Sequence, residues 1–510
     1  MGARVIRRVL VANRGEIAVR ILCACRELGL TGIAIYSDAD SDALHVRMAD
    51  VSARVGPAPA AESYISTGAV IDAARQTGAD AVHPGYGFLA ENAEFADACA
   101  GAGLVFVGPP ASVIETMGSK IGSRASMSRA GIPVVPGETP RDQSEAAFRE
   151  AAARVGFPLL IKASAGGGGK GMRMVRCAED LAQALEGARH EARVAFGDET
   201  LYIERVVERP RHVEIQLLAD GHGNVLHLFE RDCSVQRRHQ KIVEESPSPA
   251  VTPALRERMT ATAVAAARAI DYRNAGTIEF LVEGTGDEAR FYFLEMNTRL
   301  QVEHPVTEAV TGIDLVRAQF QVAAGRPIAF RQQDVAQRGN AVECRIYAED
   351  PANDFLPQAG RLTLYRPPCR PGIRIDSGVA EGCNVPVNYD PLLAKLVAHG
   401  ETRSMALERA RLALSEFAIL GPRTNVPFLV RLLQHPAVRS GDLDTWFLQD
   451  VPADLLAGTP DGLPIEVVAA VAAFEDVSGG NRGALQGEPG AARNDPWDGL
   501  TGWRAWIGTP

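Results

Sequence analysis

Residues two apart on a strand share a face. The stretch Phe291-Tyr-Phe-Leu-Glu-Met-Asn-Thr-Arg-Leu-Gln-Val-Glu-His-Pro305 holds Glu295 and Asn297 in that relation. Residues 291–297 alternate as a half-buried strand does, which puts Phe291, Phe293, Glu295 and Asn297 on one side. A second strand at 277–282 carries Glu279, and the connection 283–290 contains Gly284, Gly286 and Asp287. Folded as a hairpin, this connection brings Glu279 within about one residue of facing Glu295. Two carboxylates and an amide on one sheet face repel unless a hard cation neutralises them. Oxygen ligands of this kind suit Mg²⁺ holding nucleotide phosphates. The competing reading is a solvated face.

A second candidate lies upstream. Strands at 158–163 and 172–175 flank Ser164-Ala-Gly-Gly-Gly-Gly-Lys-Gly171. Consecutive glycines let backbone N–H groups turn toward phosphate oxygens, and Lys162 and Lys170 add positive charge. The run is not a Walker A loop, since Ser164 stands where that pattern needs Gly and Gly171 where it needs Ser or Thr. It reads as a lid, with Glu204 on strand 201–204 where the lid returns to the body.

The elements that must position these groups begin with a βαβ unit. Strand 8–12, a helix with Ile17, Ile21, Cys25 and Leu28 on its apolar side, Gly29 as terminator and strand 33–36 predict an open parallel sheet. The turn carries Asn13-Arg14-Gly15 rather than G-x-G-x-x-G, which argues against a dinucleotide. Strand 212–218 pairs through residues 220–223 with strand 225–229. The polar, basic run 230–241 is expected to be a solvated loop, and Cys233 within it a structural thiol. Residues 339–347 alternate, with Glu343, Arg345 and Tyr347 on one face, and open a β-rich C-terminal part. Thr402 caps a helix reaching about residue 417. A helix at 465–474, a Gly-rich linker and a tail with Trp497, Trp503 and Trp506 close the chain.

The totals set limits. The chain has 510 residues, 46% hydrophobic and 23% charged, enough for roughly three domains. A net charge of −10 argues against a general nucleic-acid or membrane-surface binder, and no apolar run is long enough to span a bilayer. Eight scattered cysteines without C-x-x-C indicate neither zinc nor a disulfide framework. With a strand starting close to Met1, leaving no room for a secretory signal, the expectation is cytoplasmic.

The order of βαβ domain, glycine lid and carboxylate hairpin resembles the ATP-grasp superfamily. Within it the chain is similar to biotin carboxylases, collinearly over about residues 4–450. The resemblance rests on Ala12-Asn-Arg-Gly-Glu-Ile-Ala18, Tyr36-Ser-Asp-Ala-Asp40, His83-Pro-Gly-Tyr-Gly-Phe88, Lys162 with the glycine run, Arg231-Asp-Cys-Ser-Val-Gln-Arg-Arg-His-Gln-Lys241 and Glu295-Met-Asn-Thr-Arg-Leu-Gln-Val-Glu-His304. It implies an α/β and α+β fold. Its domains would be an N-terminal α/β domain (1–118), an ATP-grasp domain (119–330, lid about 134–204), a β-rich C-terminal domain (338–447) and a tail (448–510).

It also implies roles. Lys120, Lys162 and the backbone of Gly166, Gly167, Gly168 and Gly169 would hold ATP phosphates; Glu204 and Val207 would meet the adenine; His212, Gln236 and His239 would meet the ribose and its surroundings. Glu279, Glu295 and Asn297 would bind two Mg²⁺ or Mn²⁺. Lys241, Arg299, Gln301, Val302 and Glu303 would surround bicarbonate, with Arg345 and Tyr86 at biotin, and Glu303, Arg299, Arg345 and Lys241 carrying the chemistry. Arg205 and Asn388 depart from the family's commonest residues. No Met-Lys-Met biotinyl motif is present, so biotin is expected on a carrier protein or domain, with a carboxyltransferase as further partner and a homodimer possible. The alternatives are another ATP-grasp carboxylate–amine ligase and an inactive scaffold of a carboxylase complex.

Overall fold

Strand β1 (Arg8–Val11) is apolar on both faces, with Val9, Leu10 and Val11 at 0% exposure, as a central parallel strand must be. In the computed structural model, which describes residues 4–164, 172–449 and 453–456, it pairs in parallel with β2 (Thr31–Ser37) and β4 (Ala81–His83). With β3 (Val51–Gly56) and β5 (Val105–Phe106) the order is β3-β2-β1-β4-β5, the open parallel sheet expected. Helix α1 (Gly15–Glu27) buries Ile17, Ile21 and Cys25, and Gly29, at φ +67, turns the chain out of it. Met1–Leu455 form one unit and Leu456–Pro510 a second; the expected helix at 465–474 and the tryptophan tail lie outside the described residues.

The lid is a small sheet of β6 (Gly137–Glu138), β7 (Leu159–Ala163), β8 (Arg173–Val175) and β9 (Leu201–Arg205) in the order β6-β9-β7-β8. It has a core of its own, built from Phe148, Leu159, Ile161, Val175, Leu185 and Ile203 among others. β7 and β8 flank the glycine run as an antiparallel pair, as expected; Gly166, Gly167, Gly168 and Gly169 lie outside the described residues.

The body is one eight-stranded sheet. It comprises β10 (Arg211–Ala219), β11 (Val225–Arg237), β12 (Gln240–Ser246), β13 (Asn274–Glu283), β14 (Arg290–Asn297), β15 (Asn340–Tyr347) and the strands Ile373–Ser377 and Leu392–Gly400. The order is β14-β13-β10-β11-β12-β15, then Leu392–Gly400, then Ile373–Ser377. The strands read as a C-terminal part therefore continue the large antiparallel sheet without a break. One face packs Val213, Ile215, Leu217, Ile278, Phe280 and Val282 against the helix Pro253–Ala269. The other face carries the site. Further along, Thr402 caps the helix Arg403–Glu416 as expected, its hydroxyl accepting the Met405 N–H at 3.3 Å.

Two local expectations are corrected here. The run 230–241 is not a solvated loop: it is the second half of β11, a two-residue turn and the start of β12. Arg238 (φ +49) and His239 (φ +66) occupy the left-handed region, the pattern of a tight hairpin turn between Arg237 and Gln240. Most of the polar side chains turn inward, with Arg231 at 0% exposure and Asp232 at 3%, while Arg238 and His239 at the turn are exposed. Arg231 and Asp232 bond to side chains from other parts of the chain rather than to water, so their polarity marks a site rather than a surface.

The second correction concerns the alternation of residues 291–297. Glu279 pairs directly with Glu295 but Phe280 pairs with Phe293, leaving Leu294 as an extra residue in a β-bulge. Phe291, Phe293 and Met296 consequently face the apolar core, while Leu294, Glu295 and Asn297 line the cavity. A regular strand would have sent Phe291 and Phe293 to the same side as Glu295.

Candidate active site

A cavity of 740 Å³ lies between the lid and the polar face of the large sheet. Its lining includes Lys120, Lys162, Glu204, Val207, His212, Gln236, His239, Lys241, Glu279, Glu295, Asn297, Arg299, Gln301, Val302, Glu303 and Arg345. Every described residue given a site role from the sequence is among these except Tyr86, which is half-buried, with its hydroxyl donating to Glu16. Tyr86 is carried on the turn after β4, which Asn13 at the end of β1 pins by donating to the carbonyls of Pro84 and Tyr86, both at 2.7 Å. Gly85 permits this approach, because a Cβ there would come within 2.9 Å of the Asn13 amide nitrogen.

Lys241 is the hub. Its three ammonium donors meet three carboxylates: Glu214 at 2.6 Å, Glu279 at 2.8 Å and Glu303 at 2.6 Å. Glu214 is completely buried, and its other oxygen accepts from Arg231 at 2.6 Å. Arg231 spends its remaining donors on Gln216 (2.7 Å), Thr307 (2.9 Å), Thr277 (3.2 Å) and Gln301 (2.6 Å), which satisfies the guanidinium without water. Burial pushes these carboxyls up, but the cations outweigh it: Glu214 is held at about 2, and Glu279 and Glu303 below the ordinary carboxylate range. Glu303 is therefore ionised at neutral pH. Its second oxygen accepts from Arg345 at 3.0 Å, and Arg345 in turn donates to Glu244 at 2.6 Å.

Sequence reasoning passed over Glu214. The signal was present, because His212, Glu214 and Gln216 alternate on the face opposite Val213, Ile215 and Leu217. It also missed Glu91, which orients Arg299 by accepting from its guanidinium at 2.8 Å and from the Thr298 N–H at 3.1 Å. Cys233, as expected, is a buried thiol pushed far up by burial, unsuited to nucleophilic work.

The hairpin fits a divalent cation by its donor chemistry. Glu279 Oε1 already receives Lys241, Asn297 and Gln301, each at 2.8 Å, and His212 Nε2 lies 2.8 Å from Oε2. Glu295 differs: no described group donates a hydrogen bond to it, and burial, with Glu279 and Glu91 adding to it, raises its carboxyl. An under-compensated carboxylate in register with a second one, beside an amide oxygen, is a hard-oxygen donor set for Mg²⁺. The Asn297 oxygen now accepts from Arg299 at 2.8 Å and would be released to serve as a ligand. On the lid side, Lys162 is 2.5 Å from Glu204, whose other oxygen accepts from Arg124 at 2.6 Å. The Lys120 N–H reaches the Ser164 carbonyl at 3.3 Å and ties the base of the lid to the helix Lys120–Arg129. Arg205 is taken up by Glu283 at 2.9 and 3.0 Å.

A lid carrying Lys162 over a carboxylate hairpin, with a glutamate clamped by a lysine and an arginine behind it, is an arrangement suited to an ATP-dependent ligase, the class to which its relatives belong. The N-terminal domain model of biotin carboxylase matches residues 5–114, that of the carbamoyl-phosphate synthase L chain ATP-binding domain residues 119–330, and the biotin carboxylase C-terminal domain model residues 343–450. The chain is 49% identical over 444 residues to biotin carboxylase 1 of Bacillus subtilis, which covers 87% of this chain and 98% of that one. It is 48% identical over 452 residues to the rat mitochondrial methylcrotonoyl-CoA carboxylase subunit alpha, covering 88% of this chain but 63% of that longer relative. Among solved structures it is similar to the biotin carboxylase domain dimer of Hydrogenobacter thermophilus 2-oxoglutarate carboxylase, in complex with MgADP, ADP and bicarbonate. The TM-score is 0.85 at 43% identity, covering 89% of this chain and all of that one. The chain belongs to the biotin carboxylase family.

Proposed function

We propose that the protein uses ATP and bicarbonate to carboxylate biotin held on a carrier protein, the first half-reaction of an acyl-CoA carboxylase. The observation that carries this reading is the Glu303 carboxylate, ionised and fixed between Lys241 and Arg345 on the sheet face that presents Glu279 and Glu295.

Bicarbonate is a weak nucleophile. Glu303 accepts its proton as an oxygen attacks the γ-phosphorus of ATP, ADP leaves and carboxyphosphate forms. Arg299, Gln301 and the Val302 backbone hold the bicarbonate, and Lys241 neutralises charge on the transferring group. Glu279, Glu295 and Asn297 would hold the metal, which when bound screens the phosphate oxygens. Carboxyphosphate breaks to CO₂ and phosphate, the phosphate takes the N1′ proton of biotin, and that nitrogen attacks CO₂. Arg345, which stays charged at any working pH, stabilises the negative ureido oxygen, with Tyr86 alongside. Lys120, Lys162 and the glycine run close over the phosphates and keep water from the intermediate, while Val207, His212, Gln236 and His239 seat the nucleoside.

A biotinylated carrier protein or domain and a carboxyltransferase complete the assembly in this reading, and the carboxyltransferase chooses the final acceptor. No described helix is long and apolar enough to cross a membrane. In this reading the enzyme works in the cytoplasm, where its eight free thiols stay reduced, and a homodimer is one assembly it would form, as the similar 2-oxoglutarate carboxylase domain does. The test is ADP release measured with and without bicarbonate and biotin. Dependence on both is expected. ADP formation indifferent to both would refute the assignment.

A further inference from the structure

Behind the Val302–Glu303 turn lies a buried ion pair that no substrate-facing role explains. Lys395, on the strand Leu392–Gly400, is at 0% exposure although it carries an ammonium. Its Nζ donates to the Val302 carbonyl at 2.7 Å and lies 3.2 Å from Glu16 Oε1 and 3.8 Å from Asp376 Oδ2. Glu16, at 3% exposure on α1, accepts the Tyr86 hydroxyl on the same oxygen, while no described group hydrogen-bonds its Oε2. Asp376 is already claimed by Arg374, with both oxygens at 2.7 Å. One ammonium thus joins a C-terminal strand, the first helix and the turn that ends in Glu303.

A buried lysine–glutamate pair adds little to stability over an apolar pair of the same volume. Its distinctive contribution here is directional: an ammonium aimed at one backbone carbonyl fixes where the next residue starts. We propose that Lys395 and Glu16 are positioning residues, which hold the Val302 carbonyl and thereby aim the turn through Glu303 at bicarbonate, and which seat Tyr86 through the same carboxylate. This inference rests on the function proposed above.

The test separates aiming from simple support. Lys395→Met alone leaves Glu16 unpaired and is expected to lower Tm. The double variant Lys395→Met/Glu16→Gln leaves neither partner charged and is expected to recover most of that Tm. Positioning predicts that the double variant still shows a KM for bicarbonate raised about tenfold or more, with the KM for ATP within about twofold of wild type. Glu16→Gln alone keeps the size and the acceptor for Tyr86, so it stays folded; it is expected to raise the bicarbonate KM about threefold. Recovery of both Tm and bicarbonate KM in the double variant would overturn the proposal, as would an unmoved bicarbonate KM in Glu16→Gln or an equal rise for both substrates. Wild-type ADP release indifferent to bicarbonate would instead overturn the functional reading, and this inference with it.

Discussion

Glu343 gives the sharpest test of the buried electrostatics. It sits on β15, in register with Glu244 of β12, at 0% exposure, and no described group hydrogen-bonds either carboxylate oxygen. Burial pushes its carboxyl well above the ordinary range; Lys395 pulls it back, but the facing Glu244 adds to the push. The folded protein therefore keeps a proton that the unfolded chain releases above its ordinary pKa. The sign follows: the folded state binds more protons, so stability falls as pH rises from the unfolded pKa to the folded one. Each pH unit in that window costs about 1.4 kcal/mol. Glu343→Gln replaces the protonated carboxyl with a neutral group of the same size and removes the whole penalty. The difference in Tm between variant and wild type should be small near pH 5 and grow steadily in favour of the variant up to pH 8 or 9. Thermal unfolding in parallel across that range measures it. A constant difference, or a wild type that gains on the variant at high pH, would mean that Glu343 is ionised and paired with Lys395, and would refute the argument.

Three further outcomes are expected. Glu303→Gln keeps the shape but removes the proton acceptor, so bicarbonate-dependent ADP release should fall about 10²-fold or more, with the KM for ATP unchanged; a smaller loss would take Glu303 out of the base role. Glu295→Gln removes the charge left uncompensated on the hairpin, and the Mg²⁺ concentration for half-maximal rate should rise about tenfold or more; an unmoved metal titration would show that the metal sits elsewhere. Arg231→Lys keeps a charge but supplies three donors where five acceptors wait, two charge-assisted bonds fewer, which should cost about 3 kcal/mol. Guanidinium unfolding checks it, and a variant as stable as wild type would show that the five-acceptor nest is not what holds this part of the sheet.

The parallel sheet was legible because its signals are local. Apolar runs such as Arg8–Val11, the 3.6-residue spacing of Ile17, Ile21 and Cys25, and Gly29 after them each act within a few residues. The carboxylate hairpin was legible for the same reason, with Glu279 placed to within about one residue of the Glu295 it pairs with. Its facing was not. Alternation assumes two residues per repeat, and the bulge at Leu294 depends on how β13 holds its partner, which no property of residues 291–297 declares.

Polarity along a strand is ambiguous in a way hydrophobicity is not. An apolar run can only be explained by burial, but a polar run is consistent with water or with a site made of partners from elsewhere in the chain. The segment 230–241 reads as a loop when its charges are assigned to solvent. Arg231 instead finds its acceptors at Glu214, Gln216, Thr277, Gln301 and Thr307, on two neighbouring strands, the turn before the following helix and that helix itself. The same holds for Lys395, a lone cation between Ala394 and Leu396, whose acceptors are at Val302 and Glu16. A charged residue inside an alternating strand carries its information in its partner, and in this sheet the partners meet behind the Lys241–Glu303 contact, where the proposed chemistry is set.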